Sequence, residues 1–249
     1  MHHRHINYTT AFMKITYLYH SGFIIENEKF AVIVDYYKDS EENTAHRLLD
    51  TFQGKIYVLA THWHPDHFNR EILRWKNIRP DLQYILSSDI PEKKLVSKDF
   101  SGVFMINGET WEDENLCIKA FGSTDIGISF LIEVEGQKIF HAGDLNNWHW
   151  DEESTQEEIK EAEQQFMKEL KLLYDETQGL DVAMFPVDIR LGKNYMRGAE
   201  QFVDMIHVGT FIPMHFGEKY NEANAFGEYA EKAGCRFFKL TKTNESIII

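Results

Sequence analysis

The stretch Ile56-Tyr57-Val58-Leu59-Ala60-Thr61-His62-Trp63-His64-Pro65-Asp66-His67 reads as a buried strand, 56–60, that runs directly into a loop crowded with metal-ligating side chains. His62 and His64 stand two apart in extended chain, so both imidazoles project to one side. Asp66 and His67 follow where the chain turns towards a helix expected over 70–75, with Pro65 suited to its entry. Imidazole and carboxylate are the donors that zinc and similar divalent ions prefer. Four such donors within six residues exceed what 12 histidines spread over 249 positions would supply, which disfavours polar loop residues with unrelated roles.

Outward from this run, apolar stretches of strand length recur. The N-terminal part predicts strands at 15–18, 22–26 and 31–35 joined by tight turns, and the middle predicts strands at 83–86, 103–106, 117–120, 129–134 and 138–141. Glu135-Gly136 supplies a hairpin turn between the last two. A long helix is expected over 152–174, because Ile159, Ala162, Phe166, Leu170 and Leu173 repeat at steps of three and four. Its first turns are acidic, and Lys168 and Lys171 are read as lying near its end, in keeping with the helix dipole. Its charged outer face reads as solvated, with a homo-oligomer contact left open. A strand at 182–185, a helix at 199–206, a strand at 210–214 and a helix at 222–232 stopped by Gly234 close the pattern. No Pro-, Gly- or Ser-rich linker divides the chain and no repeat appears. One domain is expected over 13–249, with the His-rich opening 1–12 as a flexible leader.

Composition narrows the function. Hydrophobic residues make up 43% of the chain and aromatics 14%, which describes a globular protein. A formal charge of −14 lacks the basic face that a nucleic-acid binder needs. It leaves room for a small anionic substrate, since a metal ion dominates its local field. No apolar run reaches the roughly 18 residues needed to span a bilayer, and no secretory signal is apparent. Cys117 and Cys235 lie far apart and read as reduced thiols in a cytoplasmic protein.

The run His62-x-His64-x-Asp66-His67 resembles the signature of the metallo-β-lactamase superfamily. Further landmarks follow in order: Asp35 at a strand end, Gly143-Asp144 at another, and His215 in Ile212-Pro213-Met214-His215-Phe216-Gly217. The resemblance covers the chain from Met13 onward. It implies an α/β (α+β) fold, a four-layer αβ/βα sandwich with the site on loops at one edge between two sheets. It further implies that His62 and His64 hold one metal, that Asp66, His67 and His215 hold a second, and that Asp144 bridges them. Asp35 would orient a ligand histidine. The ions would be zinc, one or two, with manganese as the alternative.

One position departs from the pattern. Where the family carries a further histidine for the first metal, this chain has Gly122-Ser123-Thr124-Asp125-Ile126-Gly127. A neutral hydroxyl is a poor zinc ligand, so the first position should be weaker unless Asp125, or Ser123 itself with water, completes it. Closer still is the likeness to the branch that contains L-ascorbate-6-phosphate lactonase. It rests on Tyr19-His20-Ser21-Gly22-Phe23, on Phe140-His141-Ala142-Gly143-Asp144 and on Ile212-Pro213-Met214-His215.

The implied chemistry is metal-dependent hydrolysis of a small-molecule lactone or phosphoester by activated water, with Asp66 as the catalytic group that orients the water, shuttling of its proton being a further role left open. His20, Arg190 and Lys193 are candidates for substrate contact; a structural role for His20 and plain solvent exposure for the two cations are the alternatives. His141 is expected to support the site. Trp148, His149 and Trp150 either wall the pocket or pack beneath the long helix. Two other functions compete: a metal-binding or sensing protein of the same fold with weak or no activity, favoured by Ser123, and a nuclease, disfavoured by the acidic charge.

Overall fold

The computed structural model describes residues 12–249; apart from Phe12, the expected leader lies outside the described residues. The chain opens with β1 (Lys14–Tyr19), β2 (Gly22–Glu26) and β3 (Phe30–Val34), followed by α1 (Thr44–Thr51) and β4 (Lys55–Ala60). A 3₁₀ segment (Arg70–Asn77), β5 (Gln83–Ser87), the single turn α2 (Asp89–Glu92) and β6 (Val103–Met105) come next. The strands β7 (Thr110–Glu112), β8 (Cys117–Phe121), β9 (Ser129–Val134) and β10 (Gln137–His141) precede the long helix α3 (Gln156–Glu176). Then follow β11 (Gly179–Pro186), a second 3₁₀ segment (Ile189–Asn194), α4 (Arg197–Met205) and β12 (His207–Met214). The chain closes with α5 (Tyr220–Asn224), α6 (Gly227–Lys232), β13 (Arg236–Phe237) and β14 (Ser246–Ile248).

These strands form two seven-stranded sheets, ordered β14-β1-β2-β3-β4-β5-β6 and β13-β12-β11-β10-β9-β8-β7. The continuous apolar runs of β3 and β4 arise because both faces of the first sheet are covered. Tyr57 and Leu59 join the core between the sheets, whereas Ile56, Val58 and Ala60 pack outward on Leu48, Leu49 and Trp75. In the second sheet Phe140 and Phe185 face the helices and stack on Phe202 of α4, at 5.8 and 4.4 Å between ring centres. Helices therefore cover the outer face of each sheet, and the mixed α/β fold with two sheets implied by the signature is the fold observed. No helix among the described residues is long and apolar enough to cross a membrane.

Several local expectations are corrected. The helix expected from 152 starts at Gln156, because Thr155 and Glu158 form a capping box. It runs on to Glu176, so Lys168 and Lys171 lie before its last turn, which has no basic residue. Phe166, Leu170 and Leu173 of its stripe are buried, while Ile159 and Ala162 are only half-buried. The segment after Pro65 is a 3₁₀ helix. The expected helix at 222–232 is broken in two before Gly227, whose backbone seats the Phe237 ring so closely that a Cβ would lie 2.9 Å from it. Six short elements carry no readable pattern: α1, α2, β7, the second 3₁₀ segment, β13 and β14. Both cysteines are free.

Candidate metal centre

The topology explains why distant residues meet. The pairs β3–β4, β10–β11 and β11–β12 run parallel, so their carboxyl ends share one edge of each sheet. Asp35 leaves β3 there, the run 61–67 leaves β4, Asp144 follows β10, Asp188 follows β11 and His215 follows β12. His20 sits in the turn after β1, and Ser123 and Asp125 in the loop after β8. His20, Asp35 and His215 all adopt left-handed backbone, at φ of 58°, 49° and 63°. Such strain persists where surrounding structure over-determines it and collects at functional sites. The loop after β8 presses on the histidine run. A Cβ on Gly127, at φ 78°, would fall 2.4 Å from His62 Cβ, so only glycine permits the approach.

Imidazole nitrogens converge on the carboxylate of Asp144. His62 Nε2 lies 3.3 Å from Oδ2, while His67 Nε2 and His215 Nε2 lie 3.0 and 3.2 Å from Oδ1. His62 Nε2 and His64 Nδ1 are 3.1 Å apart. His20 Nε2 is 3.3 Å from Asp66 Oδ2, and His64 Nδ1 is 4.0 Å from Asp125 Oδ2. The floor is buried: His62 and His67 are inaccessible and His215 is 3% exposed. The mouth is open, because the His64, Asp66 and Asp125 side chains keep 33%, 37% and 52% of their surface.

Carboxylates behind the cluster hold its rings. Asp35 Oδ2 accepts from His67 Nδ1 at 2.6 Å and from Thr61 Oγ1 at 2.7 Å, and Oδ1 accepts from the Thr61 N–H. Thr61 Oγ1 lies 3.1 Å from His62 Nδ1, so one aspartate orients two histidines. Asp188 Oδ2 accepts from His215 Nδ1 at 2.9 Å and is itself gripped by the Arg190 guanidinium. With each Nδ1 engaged in this way, Nε2 is left for the centre. Asp188 is not among the sequence-based candidates; its strand-end position, like that of Asp35 and Asp144, is the available signal.

The remaining candidates divide. Arg190 stands at the rim, its Nη2 3.4 Å from His215 Nδ1. Trp148 donates its indole N–H to the Asp144 carbonyl at 2.7 Å and lies 5.6 Å from the His215 ring, so it walls the site. His141 contacts the Ser21 carbonyl at 2.8 Å and accepts from the Gly143 N–H, behind the ligating groups. Ser123 Oγ meets the Asp125 N–H within its own loop, at 3.4 Å. Lys193 is held through its backbone N–H by Glu152, away from the cluster. His149 is buried against the Asn194 carbonyl.

Electrostatics follow from this crowding. Burial alone would raise the Asp144 carboxyl, but His215 and His67 hold it well below the usual range. Burial would lower His67 and His215; Asp144 outweighs it, with Asp35 and Asp188 respectively, raising His67 well above its ordinary value and His215 to about 9. Asp66 is lowered despite burial, chiefly by His20 and His67. Burial depresses His20 to about 4, and Asp66 offsets only part of that.

The residues fit a divalent cation. His20 Nε2, His67 Nε2 and Asp144 Oδ1 are buried without a hydrogen-bond partner, which is costly unless something else satisfies them. Donors held 2.0–2.1 Å from a tetrahedral ion are spaced about 3.3–3.4 Å apart. The separations of 3.3, 3.0 and 3.2 Å around Asp144 are close to that spacing. Three sets of ligand atoms lie within 4.8 Å of one another: His20, Asp66, His67, His215; His62, His67, Asp144; and His64, Asp125, Asp144.

Comparison with known proteins agrees. A family model, the β-lactamase superfamily domain, matches residues 14–162. A UPF0173 metal-dependent hydrolase from Pyrococcus abyssi is 22% identical over 218 residues, covering 82% of this chain and 84% of that protein. Another from Symbiobacterium thermophilum is 27% identical over 217 residues, again covering 82% and 84%. Among solved structures, Igni18, a metallo hydrolase from Ignicoccus hospitalis, superposes with a TM-score of 0.69 at 19% identity. That match covers 96% of this chain and 98% of Igni18 and speaks for the fold.

Proposed function

This chain belongs to the β-lactamase superfamily, and from that premise we propose that it is a metal-dependent hydrolase acting on a small-molecule lactone or phosphoester. The observation that carries the reading is the convergence of three imidazole nitrogens on Asp144 at 3.0–3.3 Å. His62, His64 and Asp144 form one ion position; Asp66, His67 and His215 form the other, with Asp144 between them. The nitrogen-rich donor set favours zinc, with manganese as the alternative. When bound, such ions supply Lewis acidity and lower the pKa of water towards neutrality.

The chain's own residues do the rest. Asp66, half-exposed at the mouth, orients the attacking water. Its carboxyl is held too low to store a proton near neutral pH, which suits positioning better than general-base work. Arg190, pre-set by Asp188, offers its outer face to an anionic group of the substrate, and Trp148 shapes the pocket wall. The lactone or phosphoester class rests on the likeness to the ascorbate-phosphate lactonase branch. The acidic charge supports a small molecule over nucleic acid, and the two free cysteines support action in the reducing cytoplasm.

The test is a screen of lactones, phosphodiesters and phosphomonoesters with metal-reconstituted protein. Asp66→Asn should fold yet lose about 10²–10⁴-fold in turnover; full activity in that variant would remove Asp66 from the chemistry. A second reading, a binding or sensing protein, is favoured by Ser123, whose hydroxyl serves its own loop. It gains if the loaded protein turns over none of these classes.

A further inference from the structure

We infer that His20 is a metal ligand, so that the second ion position draws on four side chains, His20, Asp66, His67 and His215, beside the shared Asp144. This deepens the proposed function and rests on it. The ligand atoms of these four lie within 4.8 Å of one another. His20 Nε2 is buried and lacks a hydrogen-bond partner although Asp66 Oδ2 is only 3.3 Å away. That spacing, without hydrogen-bond geometry, is what two donors to one ion show. The His20 ring lies 4.1 Å from the His215 ring and 5.9 Å from the His67 ring.

The backbone fixes this placement. His20 has left-handed φ, its N–H donates to Tyr17 Oη at 2.8 Å, and its carbonyl accepts from the His215 N–H at 3.0 Å. The β1–β2 register shifts between Tyr17 and Tyr19, just before His20. A substrate-contact residue would gain nothing from burying its free nitrogen on the inner side of Asp66. The other position is looser: beside His62, His64 and Asp144, the further carboxylate of Asp125 is 52% exposed and stands 4.0 Å from His64, and Ser123 faces its own loop. The two ions therefore bind in order, the more buried position that includes His20 first.

The experiment is a titration of metal-free protein with Zn²⁺ against a chromophoric chelator, repeated on His20→Asn, with X-ray absorption of the protein carrying one equivalent. Asparagine tolerates left-handed backbone, so the turn is retained; matching circular dichroism and thermal unfolding of the metal-free proteins confirm this, and His20→Gly serves if they differ. Wild type should bind in two steps, and the variant should lose at least about tenfold in the tighter step with the weaker unchanged. The imidazole count of the first ion should fall from about three to about two, a readout that a merely structural role would not move. Equal first-step affinity and equal imidazole count in both proteins would overturn the inference while leaving the proposed function intact. Failure of wild type to bind any divalent ion would overturn the function itself.

Discussion

Two histidines in this protein each sit between carboxylates, and they differ in how many nitrogens are spent. His46, half-exposed, meets Asp39 with Nδ1 at 2.7 Å and Glu71 with Nε2 at 2.8 Å, tying α1 to the 3₁₀ segment. His67, fully buried, meets Asp35 with Nδ1 at 2.6 Å, while Nε2 faces Asp144 at 3.0 Å without a hydrogen bond. Residue type and neighbours are alike. What separates a latch from a proposed ligand is one unsatisfied nitrogen in a place where water cannot reach it.

The sharpest way to break this contrast is Asp144→Ala, which removes the carboxylate shared by His62, His67 and His215. Metal content by mass spectrometry should drop below one ion per chain and turnover should fall by about 10²–10⁴-fold or more; a normal metal complement would end the bridging assignment. Asp35→Asn tests the support behind His67 and His62. Loss of such a partner should cost about 10–100-fold in metal affinity, measured by chelator competition. The matching change at the latch, Asp39→Asn, should leave metal affinity unaltered.

Protons compete with metal at the inner cluster. His215 is raised to about 9, so the metal-free protein carries that proton at neutral pH and the ion must displace it. Affinity should therefore rise with pH up to about 9, by about tenfold per unit for each proton displaced, as seen by calorimetry across buffers. A flat profile would mean that the cluster binds no proton that metal must expel. The linked stability has the opposite sign. The charged ring stabilises the metal-free fold fully below the ordinary histidine value of 6.5, and that contribution is lost as pH rises through about 9.

The smallest effect belongs to the latch. Burial disfavours charging His46, but Asp39 and Glu71 outweigh it, so its pKa lies above 6.5 in the fold. His46→Ala should cost about 0.2–1 kcal/mol in urea melts at low pH. That cost is fully present below 6.5 and shrinks as pH rises through the folded value, with no change in metal content. A loss of metal in this variant would show that latch and centre are coupled.

Local chemistry was legible in the chain itself. His62, His64, Asp66 and His67 announce themselves because four donors occupy six positions, and the runs that became β2, β4 and β9 show strand length without reference to anything distant. Asp35, Asp144 and His215 were readable as residues following strands. That β14 pairs with β1, that Asp188 backs His215, that His20 packs against the same ring and that Ser123 turns into its own loop were not readable. Each depends on strand register and parallel crossovers joining segments far apart in sequence. A side chain's identity is written locally, whereas its direction and its free nitrogen are decided by whichever neighbour the assembled sheets bring within about 3 Å.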